Sequence, residues 1–117
     1  MKRHFLHGLL FVFSPHEKKK TIKEFERILS CEFDFRGEDE DKVSLWIGYS
    51  LGFQFSIVSD KTDEIYSFSF ASELIFESDT PYFNIEFHFI DLLHSNGFAK
   101  VMTNKEFGDY LDEKAKR

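Results

Sequence analysis

The sequence is poor in cysteine, in basic residues and in long apolar runs. Its single cysteine, Cys31, excludes an intrachain disulfide and fits a reducing compartment, so we expect a cytoplasmic protein. The apolar run from Phe5 to Phe13 is interrupted by His7 and is far shorter than the ~20 residues of a membrane span. Met1 to His4 resemble the start of a secretory signal, but no small-residue cleavage pattern follows, and we interpret the run as a strand.

Basic residues are in the minority, with 15 lysines and arginines against 21 aspartates and glutamates and a formal net charge of −6. Nucleic acid and anionic membranes attract basic surfaces, so we expect neither as a direct partner. The sequence has no glycine-rich phosphate loop, and we expect no cofactor. A chain of 117 residues suffices for one core, and we assign residues 1–117 to a single domain.

Phenylalanine, by contrast, is abundant, with 16 residues, and many of them recur at every second position between Val43 and Phe89. The alternating positions are Phe53, Phe55 and Ile57, then Tyr66, Phe68 and Phe70, then Phe83, Ile85, Phe87 and Phe89. Strict alternation places one set of side chains on one face of a strand. The pattern predicts an antiparallel sheet with one apolar and one polar face, whose apolar residues form a core with Phe25.

Turn signals divide the chain into elements. The predicted strands are Phe5–Phe13, Glu32–Arg36, Val43–Tyr49, Gly52–Ser59, Glu64 to about Phe76, Tyr82–Phe89 and Phe98–Met102. Capping boxes at Ser14-Pro15-His16-Glu17 and Thr103-Asn104-Lys105-Glu106 predict two helices, the first ending near Ser30. We therefore expect an α+β domain: an antiparallel sheet of about five to seven strands with an N-terminal-half helix and a C-terminal helix on one face.

The Tyr82–Phe89 segment has a second interpretation. Thr80-Pro81 is a helix-start signal, and a helix beginning there would end at Gly97. Eight residues of alternation, rich in Phe and Ile, favour the strand, followed by a short helical turn over Ile90–Asn96.

Two patterns resemble catalytic or metal-binding motifs. Gly48-Tyr49-Ser50-Leu51-Gly52 matches G-x-S-x-G, but that motif requires a strand-turn-helix bend on a parallel sheet. Because the following residues alternate as a strand, we interpret it as a hairpin turn. His88, Asp91 and His94 would spread over roughly 120° of a helix, so we expect no metal site. We expect no catalytic residue and no enzyme activity.

Charge is distributed unevenly along the chain. Between Cys31 and Asp91 there are 14 acidic and 3 basic residues (3 − 14 = −11), whereas the rest has 7 acidic and 12 basic residues (12 − 7 = +5). Exposed acids promote solubility, and they also form docking surfaces for basic partners. The candidate partner-binding acids are the consecutive Glu38, Asp39, Glu40 and Asp41, together with Asp60, Asp63 and Glu86.

The polar side of the predicted sheet is the second candidate feature. If Val43, Leu45 and Ile47 point inward, then Ser44, Trp46 and Gly48 point outward. The outward residues of the neighbouring strands would be Gln54, Ser56, Ser67, Ser69, Asn84, Glu86 and His88. This arrangement predicts a flat binding face with Trp46 as its aromatic anchor. Alternatively, a loop or the C-terminal helix covers Trp46.

The small size, the acidity, the single cysteine and the acid-rich turn make the chain similar in type to bacterial immunity proteins. Those of contact-dependent growth inhibition and related polymorphic toxin systems are the most similar. Such proteins bind a cognate toxin domain, often a basic nuclease, and block its active site or substrate groove. The resemblance implies a toxin domain as the protein partner. The alternative is a small ligand-binding or enzymatic α+β domain with a pocket between the sheet and its helices.

Overall fold

The computed structural model of the protein describes residues 2–4, 6–59, 64–72, 76–78 and 85–116. The described strands are β1 (Lys2–His4), β2 (His7–Phe13), β3 (Asp34–Glu38), β4 (Ser44–Ser50), β5 (Phe53–Ser59), β6 (Ile65–Ser72), β7 (Phe76–Ser78) and β8 (Lys100–Thr103). The described helices are α1 (Lys18–Leu29), α2 (Ile85–Ser95) and α3 (Asn104–Ala115).

Six of the strands form an antiparallel sheet in the order β3-β4-β5-β6-β2-β8. The predicted α+β class is thereby confirmed, and β2 lies in the interior of the sheet, between β6 and β8. β8, which corresponds to the predicted strand Phe98–Met102, is an edge strand. The strand expected from Glu64 to about Phe76 ends, as β6, at Ser72. Residues 73–75 lie outside the described part of the chain, and β7 pairs with β1 in a separate two-stranded sheet.

The core lies between the sheet and two helices, α1 and α2. Phe55 of β5 and Phe68 of β6 are fully buried, and the ring of Phe25 from α1 lies 5.6 Å from that of Phe68. Phe89 of α2 packs edge-on against Phe55 and Phe68, with centroid distances of 5.7 Å to each. Burying one such ring stabilises the fold by about 1.5–3 kcal/mol. The alternation along β5 and β6 therefore predicted these core residues correctly.

The opposite face of the sheet is covered in part by α3. Phe107 stacks on Phe11 of β2 with ring centroids 3.9 Å apart, and Tyr110 meets Phe13 edge-on at 5.5 Å. The prediction that both helices lie on one face is therefore corrected, since α1 and α3 lie on opposite faces. The reason is that Phe11 and Phe13 alternate with the fully buried Leu10, so both sides of β2 are apolar and both bury against helices.

The strand predicted over Tyr82–Phe89 is wrong from Ile85 onward, where the helical alternative is correct. Phe89 and Leu93 are four residues apart and are buried on one face of α2. Gly97 follows the helix with a φ of +104°, as the helical alternative required. Apolar residues at every second position also supply the i, i+4 spacing of a helix, and burial of that helical face against the sheet decides between the two structures.

This change alters the expected positions of Phe87 and Ile85. Phe87, which the strand interpretation placed in the core, is 59% exposed on α2. Ile85 is half-buried at the margin of the core. Phe83 and Asn84 lie outside the described residues.

Of the two predicted capping boxes, one is present. Thr103 Oγ1 accepts a hydrogen bond from the Glu106 amide, and the Glu106 carboxylate accepts one from the Thr103 amide. The prediction of the first capping box is wrong, because α1 begins at Lys18, after the predicted box, and no side chain caps its first turn. Ser14 Oγ instead accepts from the His16 amide and lies 2.7 Å from the Thr21 hydroxyl, so it fastens the turn before α1 onto the helix.

Candidate partner-binding surface

The four consecutive acids, which we call the acidic turn, form the tip of the β3–β4 hairpin, and all four are exposed. Asp39 holds the turn together, because its Oδ1 accepts hydrogen bonds from the amides of Asp41 and Val43, both at 2.9 Å. The Asp39 amide in turn donates to the Val43 carbonyl at 3.0 Å. Side-chain and backbone bonds therefore give the turn a defined shape in which Glu40 and Asp41 face solvent.

Glu38 has a basic neighbour within its own fold. Its Oε1 accepts a hydrogen bond from Ser44 Oγ at 3.3 Å and lies 3.9 Å from Nζ of Lys18. Lys18 also donates to Ser44 Oγ at 3.4 Å and lies 5.9 Å from the centre of the Trp46 ring. Within the acidic turn, the charges least engaged by the protein itself are therefore those of Glu40 and Asp41.

Trp46 is not the exposed anchor that the sequence predicted, because it is only 9% exposed and belongs to the core. The β4–β5 loop consists of Leu51 and Gly52, with φ angles of +56° and +77°, as tight hairpin loops require. This loop places Trp46 directly opposite Ile57. Cross-strand partners share a face of the sheet, and Ile57 is fully buried, so Trp46 is buried with it.

The same register reverses the predicted orientation of β4. Gly48 lies on the core face, where a side chain would meet the ring of Phe33 at 3.1 Å. Leu45 and Ile47 point outward instead of inward and are half-buried. On β5 and β6 the predicted outward residues are confirmed: Gln54, Ser56, Ser67 and Ser69. The outer face of the sheet is therefore more apolar than predicted.

Of the other three candidate acids, only Glu86 is described, since Asp60 and Asp63 lie outside the described residues. Glu86 is half-buried on α2, with its Oε1 3.0 Å from the position that a Cβ at Gly8 of β2 would occupy. β2 is four places from β3 in the sheet, a separation of roughly 19 Å. Glu86 therefore lies on α2, away from the acidic turn, and not on the outer sheet face where the strand prediction placed it.

The sequence analysis did not predict three large apolar residues that are exposed on β3, on β4 and in the β4–β5 loop. Phe35 is 58% exposed, Tyr49 is 54% exposed and Leu51 is 84% exposed. Phe35 lies against Trp46 with ring centroids 5.6 Å apart, at the edge of the core. The two-residue Leu51-Gly52 loop sets the register of β4 against β5, and this register places Tyr49 on the outer face. The outward orientation of Tyr49 could therefore have been predicted from the sequence.

The G-x-S-x-G segment forms the hairpin that was predicted. Ser50 is the last residue of β4, and its hydroxyl lies 3.5 Å from the Ser30 carbonyl oxygen, to which it donates. A serine nucleophile needs a neighbouring base that removes its proton, and a backbone carbonyl does not serve as one.

We expect Ser50→Ala to leave every activity of the protein unchanged, because the hydroxyl donates its hydrogen bond to the backbone carbonyl of Ser30 and not to a side-chain base. The measurement is covalent labelling with a fluorophosphonate probe, which we expect to leave the wild type unmodified. Labelling that the Ser50→Ala variant abolishes would contradict this prediction.

The candidate metal ligands are His88, Asp91 and His94, and all are exposed on α2. Within the described part of the chain, no three His, Cys, Asp or Glu side chains are grouped closely enough to hold a metal ion. Cys31 is half-buried, and its burial raises the pKa of the thiol, an effect to which the charge of Glu26 adds.

The raised pKa predicts that Cys31 reacts slowly with thiol reagents at neutral pH. A higher pKa leaves a smaller fraction of thiolate at a given pH, and the thiolate is the reactive form. We expect the alkylation rate by iodoacetamide to rise with pH through a midpoint above that of a free cysteine. A midpoint below that of a cysteine-containing reference peptide would show that the thiol is activated instead.

A cleft of about 660 Å³ opens between the end of β2 and the segment before β8. Its walls include Phe13, His16, Glu64 and Lys100. The Lys100 ammonium lies 4.5 Å from the centre of the Phe13 ring. The cleft lies outside the space between the helices and the sheet, which aromatic rings fill.

Comparisons with protein-family models, with curated proteins and with solved structures found no match to this chain. None of the helices in the described residues is sufficiently long and apolar to cross a membrane.

Proposed function

We propose that this protein is an immunity protein, which binds a basic toxin domain in the cytoplasm and neutralises it. The observation that carries the proposal is the acidic turn: four exposed carboxylates at the tip of a hairpin that hydrogen bonds hold in shape. This turn belongs to a segment, Cys31 to Asp91, with a net charge of −11. Proteins that act on nucleic acid carry clustered Lys and Arg, and such a turn complements them.

In the proposed mechanism the acidic turn occupies the place of substrate phosphates. Glu40 and Asp41 would pair with Lys and Arg of the toxin, while Asp39 keeps the turn in its bound shape. Complementary charge raises the rate of encounter by a factor of about 10–10³, and the effect falls as salt rises. No reaction is required, because an occupied groove excludes the substrate.

The alternative, a small ligand-binding or enzymatic domain, has less support. It requires a pocket between the sheet and its helices, and that space is filled by the rings of Phe25, Phe55 and Phe89, each in contact with Phe68. The cleft beside β2 lies elsewhere and is lined by neither His88 nor Glu86. A filled aromatic interior suits a protein that works through its surface.

The experiment uses the polypeptide encoded by the open reading frame adjacent to the gene for this protein. We expect its expression in a host cell to stop growth and co-expression of this protein to restore it, with a stable complex between the two purified chains. The proposal fails if the neighbouring product is harmless, or if it stays toxic when this protein is present in excess.

A further inference from the structure

A continuous part of the outer sheet face carries no charged side chain. It consists of the outward residues of β4, β5 and β6, which we call the uncharged face: Leu45, Ile47, Tyr49, Gln54, Ser56, Val58, Ile65, Ser67, Ser69 and Ala71. In a chain whose residues are 31% charged, ten neighbouring outward positions without Asp, Glu, Lys or Arg are unusual for a solvated surface. Depletion of charge is instead typical of the buried centre of a protein interface.

The strand register arranges this face in rows. Ile47, Ser56 and Ser69 lie in one row across β4, β5 and β6. Tyr49 stands at one end of the face, 54% exposed, beside Gln54. Serine side chains in the middle leave the surface flat, and tyrosine is enriched among the residues that contribute most to binding. The face therefore has a flat centre with an exposed aromatic residue at its margin.

The helices of the described residues leave this face open. α1 and α2 pack on the opposite side of the sheet, where Phe25 and Phe89 contact the core. α3 packs on β2 and β8, to one side of the uncharged face. Within the described part of the chain, the outer face of β4 and β5 thus lies between α3 and the sheet edge at β3.

The charge around the uncharged face indicates what covers it. Asp34 on β3 is paired with Ile47, is exposed and lies at the edge of the same face. The acidic turn is at the end of the same hairpin, and from Asp34 to Lys42 there are 5 acidic and 2 basic residues (2 − 5 = −3). A second copy of this chain, with its net charge of −6, would bring like charges together. A partner with an apolar centre that is bordered on one side by Lys and Arg complements both the uncharged face and its acidic β3 edge.

We infer that the uncharged face is the contact centre for the toxin domain, with Tyr49 as its aromatic contact and the acidic turn at its border. This inference rests on the proposed function. It assigns the two parts of the surface different roles. The acidic turn speeds encounter, and the uncharged face, once desolvated, slows dissociation.

The test places one long charged side chain at the centre of the face. Ser56→Arg and Ser69→Arg are compared with Ser95→Arg, which adds the same charge at an exposed position on α2. The probe is the polypeptide encoded by the adjacent open reading frame, and the readout is the dissociation constant from calorimetry. We expect the two face variants to bind at least about 30-fold more weakly and the control to bind like the wild type. Melting curves show whether each variant is folded.

A second measurement does not depend on any variant. Hydroxyl-radical footprinting of the wild type should show that Tyr49 is oxidised in the free protein and protected in the complex. If the wild type binds but Tyr49 remains reactive and folded Ser56→Arg binds normally, this inference fails and the proposed function stands. If the wild type does not bind at all, the proposed function fails, and this inference fails with it. A wild-type dimer in sedimentation that Ser56→Arg dissociates would show that the face binds a second copy instead.

Discussion

Replacing Phe68 with Ala is expected to lower the free energy of unfolding by ~3–5 kcal/mol, the cost of deleting a large side chain from a packed core. Phe68 is fully buried in the middle of the sheet, where the rings of Phe25, Phe55 and Phe89 surround it at 5.6–5.7 Å. The sheet and the helices hold these three surrounding rings in place, so the rings cannot fill the cavity that the substitution leaves. Urea titration monitored by circular dichroism measures the change.

The matched control is Phe87→Ala, which deletes the same side chain from a position that is 59% exposed on α2. We expect it to cost less than about 1 kcal/mol, because more than half of this side chain remains in water in the folded protein. If α2 were the strand that alternation favoured, the two variants would be equally destabilised. Equal losses would therefore contradict the described packing of α2.

Reversing the charge of Glu40 and Asp41 to Lys is expected to slow association with the toxin domain by about tenfold at low salt. These two acids are chosen because Asp39 holds the turn by hydrogen bonds and Glu38 is near Lys18, so that the shape of the turn is kept. Stability should change by less than about 0.5 kcal/mol, as for most exposed substitutions. Stopped-flow association at two ionic strengths measures the effect, which should shrink as salt rises.

The control is a double variant that makes the same change in net charge on α3, away from the acidic turn. Asp112→Lys with Glu113→Lys alters two exposed residues of α3, which packs over β2 and β8 at the far edge of the sheet from β3. We expect a smaller effect on association from this pair. If both double variants slow association equally, overall charge rather than the acidic turn governs encounter. If neither does, the acids contribute to solubility alone.

The corrected position of Trp46 changes what its removal should do. The ring is 9% exposed and packs opposite Ile57, so Trp46→Ala deletes a core side chain rather than a binding anchor. A local feature would have indicated this, since a two-residue Leu51-Gly52 loop determines which residues of β4 and β5 face each other. The prediction that Val43, Leu45 and Ile47 point inward did not use this constraint. Because side chains alternate along a strand, an error of one residue in the register exchanges its inward and outward residues.

The sequence by itself determined the features that depend on neighbouring residues. Alternation in β5 and β6 specified the buried Phe55 and Phe68, the Thr103–Glu106 capping box specified the start of α3, and the Leu51-Gly52 loop specified a hairpin. Each follows from backbone geometry and side-chain spacing within a few residues.

Only the tertiary structure decided the features that depend on distant partners. The segment from Ile85 to Phe89 has apolar residues that suit a strand or a helix, and it is a helix because one helical face buries Phe89 between Phe55 and Phe68. α3 lies on the second face because β2, the interior strand, has Phe11 and Phe13 there to bury. Within the described residues, that placement leaves the outer face of β4, β5 and β6 without a covering helix, beside the acidic turn. The placement depends on which surfaces bury the most apolar area and not on a local signal.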